Sequence, residues 1–251
     1  MPHADSTMIA KPRMGGGLHR QLAEILGEAI ATGELVAGQQ VVPEELAEQF
    51  GVSRTVVREV LRVLQDKGMV AARARVGTSV LPSSEWRLFD ADVIRWRSGG
   101  ADNGRQLEEL LAIRGAIEPL AARKASMVAS STGIQAMREA VEEMRTAITI
   151  RDWGRFTEAD VAFHRALLVA SGSLMIAQFG EPIEAALRVR RQLNLVPENM
   201  SEGVTAAHEH IIDAIVEKDG AAAELASRRI VDVAGAEMFE SLVRAGKANP
   251  R

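Results

Sequence analysis

Residues 41–80, VVPEELAEQFGVSRTVVREVLRVLQDKGMVAARARVGTSV, leave this chain few ways to fold. Pro43 opens a short helix over Glu44–Phe50, and Gly51 supplies a tight turn. Ser53 then caps a second helix that runs to about Lys67 and stops at Gly68. On that helix Val56, Val57, Val60, Leu61 and Leu64 recur at helical spacing, so they form the inward stripe. Arg54, Thr55, Arg58 and Arg62 are left facing out. Met69–Ala72 and Thr78–Leu81 pair as strands around an Arg-Val-Gly tip. Upstream, Leu18, Leu22, Ile25, Leu26 and Ile30 mark a helix that Gly33 ends. Helix, turn, arginine-bearing helix and basic hairpin together spell a winged helix-turn-helix.

Charge supports that reading only when it is read locally. The net charge of −4 over 251 residues does not point to a nucleic-acid binder. Between Ser53 and Arg75, however, Arg54, Arg58, Arg62, Lys67, Arg73 and Arg75 face only Glu59 and Asp66. Screening in salt confines charge effects to about 10 Å, so this local excess decides phosphate binding. An exposed helix start carrying Ser53, Arg54, Thr55 and Arg58 suits the major groove, where arginine can fork onto guanine. The alternative is an ordinary solvated face, and the turn before it and the basic hairpin after it argue for double-stranded DNA.

Composition bounds the rest. A hydrophobic content of 47% and a charged content of 25% are those of a globular protein long enough for two cores. Cysteine is absent, which removes disulfides, thiolate metal sites and cysteine nucleophiles. With no secretion signal and no apolar run near 18 residues, a cytoplasmic location is expected.

The stretch PEELAEQFGVSRTVVREVLRVLQDKGMV closely resembles the DNA-binding domain of the GntR family of bacterial regulators. The resemblance implies that Arg54 and Arg58 contact DNA and that Gly77 lets the wing approach the minor groove. Where the family often has R-x-G-x-G, Arg75 replaces the first glycine, which predicts a stiffer and more basic tip.

The expected organisation is mainly α: a loose arm over 1–16, the winged reader over 17–82, a linker over 83–101 and an all-helical domain over 102–247. The linker holds Trp86, Leu88, Phe89, Val93, Ile94 and Trp96, too apolar for a free tether, so it should dock. Beyond it six helices are expected near 103–128, 132–149, 152–170, 173–194, 201–218 and 220–246. Asp152, Ser173 and Ser201 serve as caps, and Gly133, Gly172, Pro197 and Gly220 as breaks. Pro119 falls inside the first of these helices and should kink it.

Four polar residues in this domain stand where periodicity calls for apolar ones. Arg114 lies among Leu107, Leu110, Leu111, Ile117 and Ala121. Asp160 and His164 follow the stripe of Phe156, Phe163 and Leu167, and His208 shares a face with Val204, Ile211 and Ile215. His210 points away. Buried without partners, each would cost several kcal/mol. They therefore either satisfy one another, with Asp160 on Arg114, or hold something. Asp160, His164 and His208 make a sound divalent-metal set, zinc first and nickel or manganese next, and Arg114 would fork an effector carboxylate. Arg188, Arg190 or Arg191 could also reach inward.

RGAIEPLAARKA, DVAFH and HEHIIDAIVEKDGAAA resemble the helical effector domain (FCD) of the FadR-type branch of the same family. The resemblance implies a metal on one aspartate and three histidines, of which Asp160, His164 and His208 match three. Ile230 stands where the fourth belongs, so effector or water oxygens would complete the coordination. With the linker text FDADVIRW, the missing histidine looks like the galactonate-operon repressors. The implied protein is a homodimeric repressor of a sugar-acid operon, bound to a palindromic operator and released by an aldonate effector. The other readings are a metal-responsive regulator and, without a convincing nucleophile or base, a metal-dependent enzyme.

Overall fold

A computed structural model describes residues 17–195 and 202–244. The expected arm over 1–16, the Pro197 break and the Ser201 cap lie outside the described residues. The chain divides after Asn103 into two compact units.

The first unit is the winged reader with the linker built into it. Helices α1 (Leu18–Ala31), α2 (Pro43–Phe50) and α3 (Arg54–Asp66) are followed by strands β2 (Val70–Arg73) and β3 (Gly77–Val80). A short strand β1 (Gln40–Val41), which the sequence pattern did not reveal, joins β3 on its other edge, giving the antiparallel order β1-β3-β2. Arg73 faces Gly77 across the hairpin, so both wing strands are shifted by one residue from their expected ends. The core gathers Leu22, Leu26, Phe50, Leu64 and Met69, and Leu18, expected on the inward stripe of α1, is exposed because it opens the helix.

The linker forms a further helix, α4 (Ala91–Arg97), which packs on α1. Trp96 is fully buried in the reader core, and its ring occupies the space over Gly27, where an added Cβ would stand 2.5 Å from ring atoms. Glu24 accepts from the Trp96 indole at 2.7 Å and from Arg95 Nη2 at 2.8 Å. Asp90 caps α4 and accepts from Lys67 at the end of α3, 2.7 Å away, while Asp92 lies 2.9 Å from the same amine. Lys67, counted by sequence with the basic surface, is thus half-buried and neutralised by the linker.

The second unit is helical: α5 (Asn103–Val128), α6 (Ser131–Ile150), α7 (Trp153–Ala170), α8 (Leu174–Ala177), α9 (Gly180–Gln192), α10 (Glu202–Val216) and α11 (Gly220–Arg244). Helix α7 packs on α6 and α9, and α10 packs on α6 and α11, around Met137, Met144, Phe163, Leu167, Leu168 and Ile211. Asp152 and Ser173 cap α7 and α8 as expected. Gly133 does not break α6; Ser130 caps that helix, and a Cβ on Gly133 would touch Ala170 at 3.5 Å, so glycine serves the close approach of α7. The single helix expected over 173–194 is interrupted at Gln178 and Phe179, because Pro182 has no N–H to continue the ladder and restarts the helix in its first turn. Helix α5 runs on through Pro119, and the Gly115 carbonyl that this proline cannot engage accepts from Arg228 Nη1 at 3.4 Å.

Candidate functional site

At the start of α3, Ser53 accepts from the Val56 amide at 3.3 Å, so its hydroxyl caps the helix. Arg54, Thr55 and Arg58 are exposed on the outer face, opposite buried Val57, Val60, Leu61 and Leu64. Arg54 lies 3.8 Å from Glu44 of α2, while Arg62 is held by Glu59 at 2.6 Å. At the wing tip Arg75 is exposed with φ 63°, the left-handed conformation usual for the glycine it replaces, and Gly77 follows with φ 99°.

In the second unit Arg114, Asp160, His164 and His208 converge on one cavity of about 320 Å³. They come from α5, α7 and α10. The ligand atoms of Asp160, His164 and His208 lie within 4.8 Å of one another. Asp160 Oδ1 is 3.4 Å from His164 Nε2 and 3.3 Å from His208 Nε2. Atoms bonded to one tetrahedral ion at about 2.1 Å stand roughly 3.4 Å apart, so the set fits a divalent cation.

The tautomers fit as well. His208 Nδ1 lies 2.8 Å from the Val204 carbonyl, a bond that keeps its proton there and turns Nε2, buried and without a hydrogen bond, toward Asp160. His164 Nδ1 lies 2.9 Å from Glu118 Oε2, an ion-pair contact off the hydrogen-bonding direction, and its Nε2 lies 3.2 Å from Arg114 Nη2. Phe163 packs edge-on against both imidazoles, at 5.6 and 4.6 Å between centroids. Ile230 lines the same cavity and offers no donor.

Glu118, which the sequence reading missed, is the fully buried hub of this cluster. It accepts from Arg114 Nε at 2.7 Å, so Arg114 is paired with Glu118 and not with Asp160, as the network alternative supposed. Its signal was present: Glu118 sits four residues after Arg114, on the same inward face. Burial resists its ionisation, but Arg114 and His164 hold its pKa down to about 2. Burial likewise works against a charge on His164, yet Glu118 and Asp160 raise its pKa to about 9. Asp160 is held well below the usual carboxylate range by His164 and His208, against its burial.

Of the three arginines on α9, Arg190 reaches the cavity, where it donates to Glu237 at 2.7 Å and to the Leu195 carbonyl at 3.3 Å. Burial, and then the charge of Arg114, lower its pKa. Arg188 stays at the surface on Glu158 and Glu184.

Residues 18–80 match the family described as bacterial regulatory proteins, gntR family, and residues 109–233 match the FCD domain. The chain belongs to the GntR family, in its FCD branch. It is 29% identical over 208 residues to the galactonate operon transcriptional repressor of Escherichia coli K12, covering 82% of this chain and 90% of that protein. It is 31% identical over 205 residues to the uncharacterized HTH-type transcriptional regulator YieP of the same organism, covering 80% and 87%. A putative L-lactate dehydrogenase operon regulatory protein of that organism is 29% identical over 222 residues, covering 84% and 81%. Among solved structures, Lar, which controls the agr system of Listeria monocytogenes, shares the fold with a TM-score of 0.66 at 17% identity, covering 91% of this chain and 99% of that one. This GntR-family chain is therefore a DNA-binding transcription regulator with an FCD domain, and its relatives are regulators, not enzymes. Among its described residues no helix is long and apolar enough to cross a membrane.

Proposed function

We propose that this regulator works as a homodimeric repressor that grips a palindromic operator and releases it when a small 2-hydroxy carboxylate enters the second unit. The observation that carries the reading is the meeting of Arg114, Asp160, His164 and His208 in one cavity. Asp160, His164 and His208 would hold the cation, zinc being favoured by two imidazoles and one carboxylate, with nickel or manganese as alternatives. When bound, such an ion supplies a Lewis-acidic anchor for carboxylate and hydroxyl oxygens. Three protein ligands leave coordination positions open, and Ile230 adds none. Arg114, oriented by Glu118, adds the matching positive charge. Glu118 also places its negative charge 2.9 Å from His164 Nδ1, behind the nitrogen that would face the ion.

On the first unit, Arg54, Thr55 and Arg58 enter the major groove, Ser53 fixes the start of their helix, and Arg75 and Gly77 bring the wing to the neighbouring backbone. Dimerisation follows from reading a palindrome. Both galactonate and L-lactate, the acids in the names of two relatives, are 2-hydroxy carboxylates, which supports that effector class.

The test is operator release and thermal stability with a panel of 2-hydroxy acids, each with and without zinc. A ligand at 100 times its dissociation constant stabilises by about 2.7 kcal/mol. The expected hit needs zinc and is lost in Arg114→Lys, which keeps the charge but loses the fork. Release by zinc alone would favour the metal-responsive reading instead.

A further inference from the structure

The effector cavity is built unevenly, and this unevenness narrows the ligand further than the family does. One cluster of lining residues carries the carboxylate-binding chemistry: Arg114, Asp160, His164 and His208. The remaining wall is made largely by Phe156, Leu187, Val204, Ile230 and Val233, from four helices. Among the described lining residues Thr157 alone has a neutral hydrogen-bonding side chain, and its hydroxyl already donates to the Trp153 carbonyl at 2.9 Å. No asparagine, glutamine, serine or tyrosine lines it among those residues, and the exposed Arg229 is the one further polar lining residue beside Arg190 and Glu237. Arg190, which also lines the cavity, is engaged with Glu237 and with the Leu195 carbonyl.

A six-carbon aldonate carries hydroxyls on every carbon beyond its carboxylate. In this cavity most of those past C2 would meet isopropyl, isobutyl and phenyl groups and lose water without gaining a partner, since Thr157, Arg190 and Glu237 are engaged and Arg229 is exposed to solvent. An alkyl chain in the same place loses nothing and buries apolar surface. Resting on the effector reading above, we infer that the physiological ligand is a 2-hydroxy carboxylate with an apolar tail, and that Val204, Ile230 and Val233 select against polyhydroxylated sugar acids.

Titration calorimetry of the full-length, zinc-loaded protein with 2-hydroxyhexanoate and with galactonate, equal in carbon count, tests this. We expect 2-hydroxyhexanoate to bind about 100-fold more tightly, the discrimination seen when one pocket meets a methyl group or its hydroxyl counterpart. The near-isosteric Val204→Thr should narrow that ratio, and its unfolding temperature shows whether the bundle is intact. Galactonate binding as tightly as 2-hydroxyhexanoate, or more so, overturns the inference while leaving the carboxylate-sensor function standing. Binding of either acid undiminished in Arg114→Lys and without zinc overturns the function reading itself, and with it the anchored tail. An unchanged ratio in Val204→Thr removes that residue as a selector.

Discussion

At the residue scale the decisive position is Glu118, buried between Arg114 and His164. Replacing it by Gln leaves two cationic groups without their counter-charge. We expect Glu118→Gln to lower unfolding stability by roughly 3 kcal/mol, read by denaturant titration. The same variant should weaken zinc binding about 10–100-fold, because His164 loses the negative charge beside its Nδ1. The cluster also imposes a pH dependence on the metal-free protein. His164, raised to about 9 from 6.5 by Glu118 and Asp160 against its burial, stabilises the fold below pH 6.5 and loses that contribution as pH rises through 9. Glu118, lowered from 4.5 to about 2 by Arg114 and His164 despite burial, contributes above pH 4.5 and loses its part as pH falls through 2. Thermal melts without metal should therefore fall between pH 6.5 and 9, and His164→Gln should flatten that limb. At the wing, Arg75 holds a left-handed backbone at a cost of about 1 kcal/mol. Arg75→Gly should recover about that much stability while weakening operator binding, since an exposed positive charge on the wing is gone.

At the element scale the linker helix α4 is part of the reader, through the Trp96–Glu24 bond, the Lys67 pairs and the absence of a side chain on Gly27. Alanine normally favours a helix over glycine by about 1 kcal/mol. Here Gly27→Ala should instead destabilise by roughly 1–3 kcal/mol, because its methyl must displace a buried indole. A stability gain would show that α4 can leave α1 freely. Helix α3 shows the complementary case. Its outer arginines stay in water while its last residue is claimed by the linker, so Lys67→Met should change stability and leave the salt dependence of operator binding unmoved. The sequence read α3 and α7 well, since an apolar period of 3.6 fixes the inward face. It missed β1, because two residues on a sheet edge leave no periodic trace. It also fused α8 with α9, because the break depends on one proline's missing donor.

At the scale of the whole molecule, a protein of net charge −4 binds a polyanion through a local field. Operator affinity should fall steeply with salt, by about 0.9 logarithmic units per tenfold salt for each phosphate engaged. Arg58→Ala should cost roughly 1–3 kcal/mol of operator affinity and relax preference at one base pair, read by titrating mutated operators. A loss that is uniform across sequences would assign Arg58 to the phosphates. The proposed effector release adds a requirement: the ligand would have to favour the non-binding state by a few kcal/mol.

The sequence by itself determined the elements and the faces they bury, because helical period, capping and turn chemistry act within a few residues of one another. It also marked Arg114, Asp160, His164 and His208 as misplaced in apolar stripes, because burying such groups has a known cost. Which of them meet was decided only by the tertiary structure. Helical periodicity gives each helix a face but no partner, so the convergence of α5, α7 and α10 was not legible. The pairing of Arg114 with Glu118, the withdrawal of Lys67 and the apolar side chains lining the cavity were equally hidden. Charges and cavity walls take their meaning from neighbours far away in sequence, and only packing chooses those neighbours.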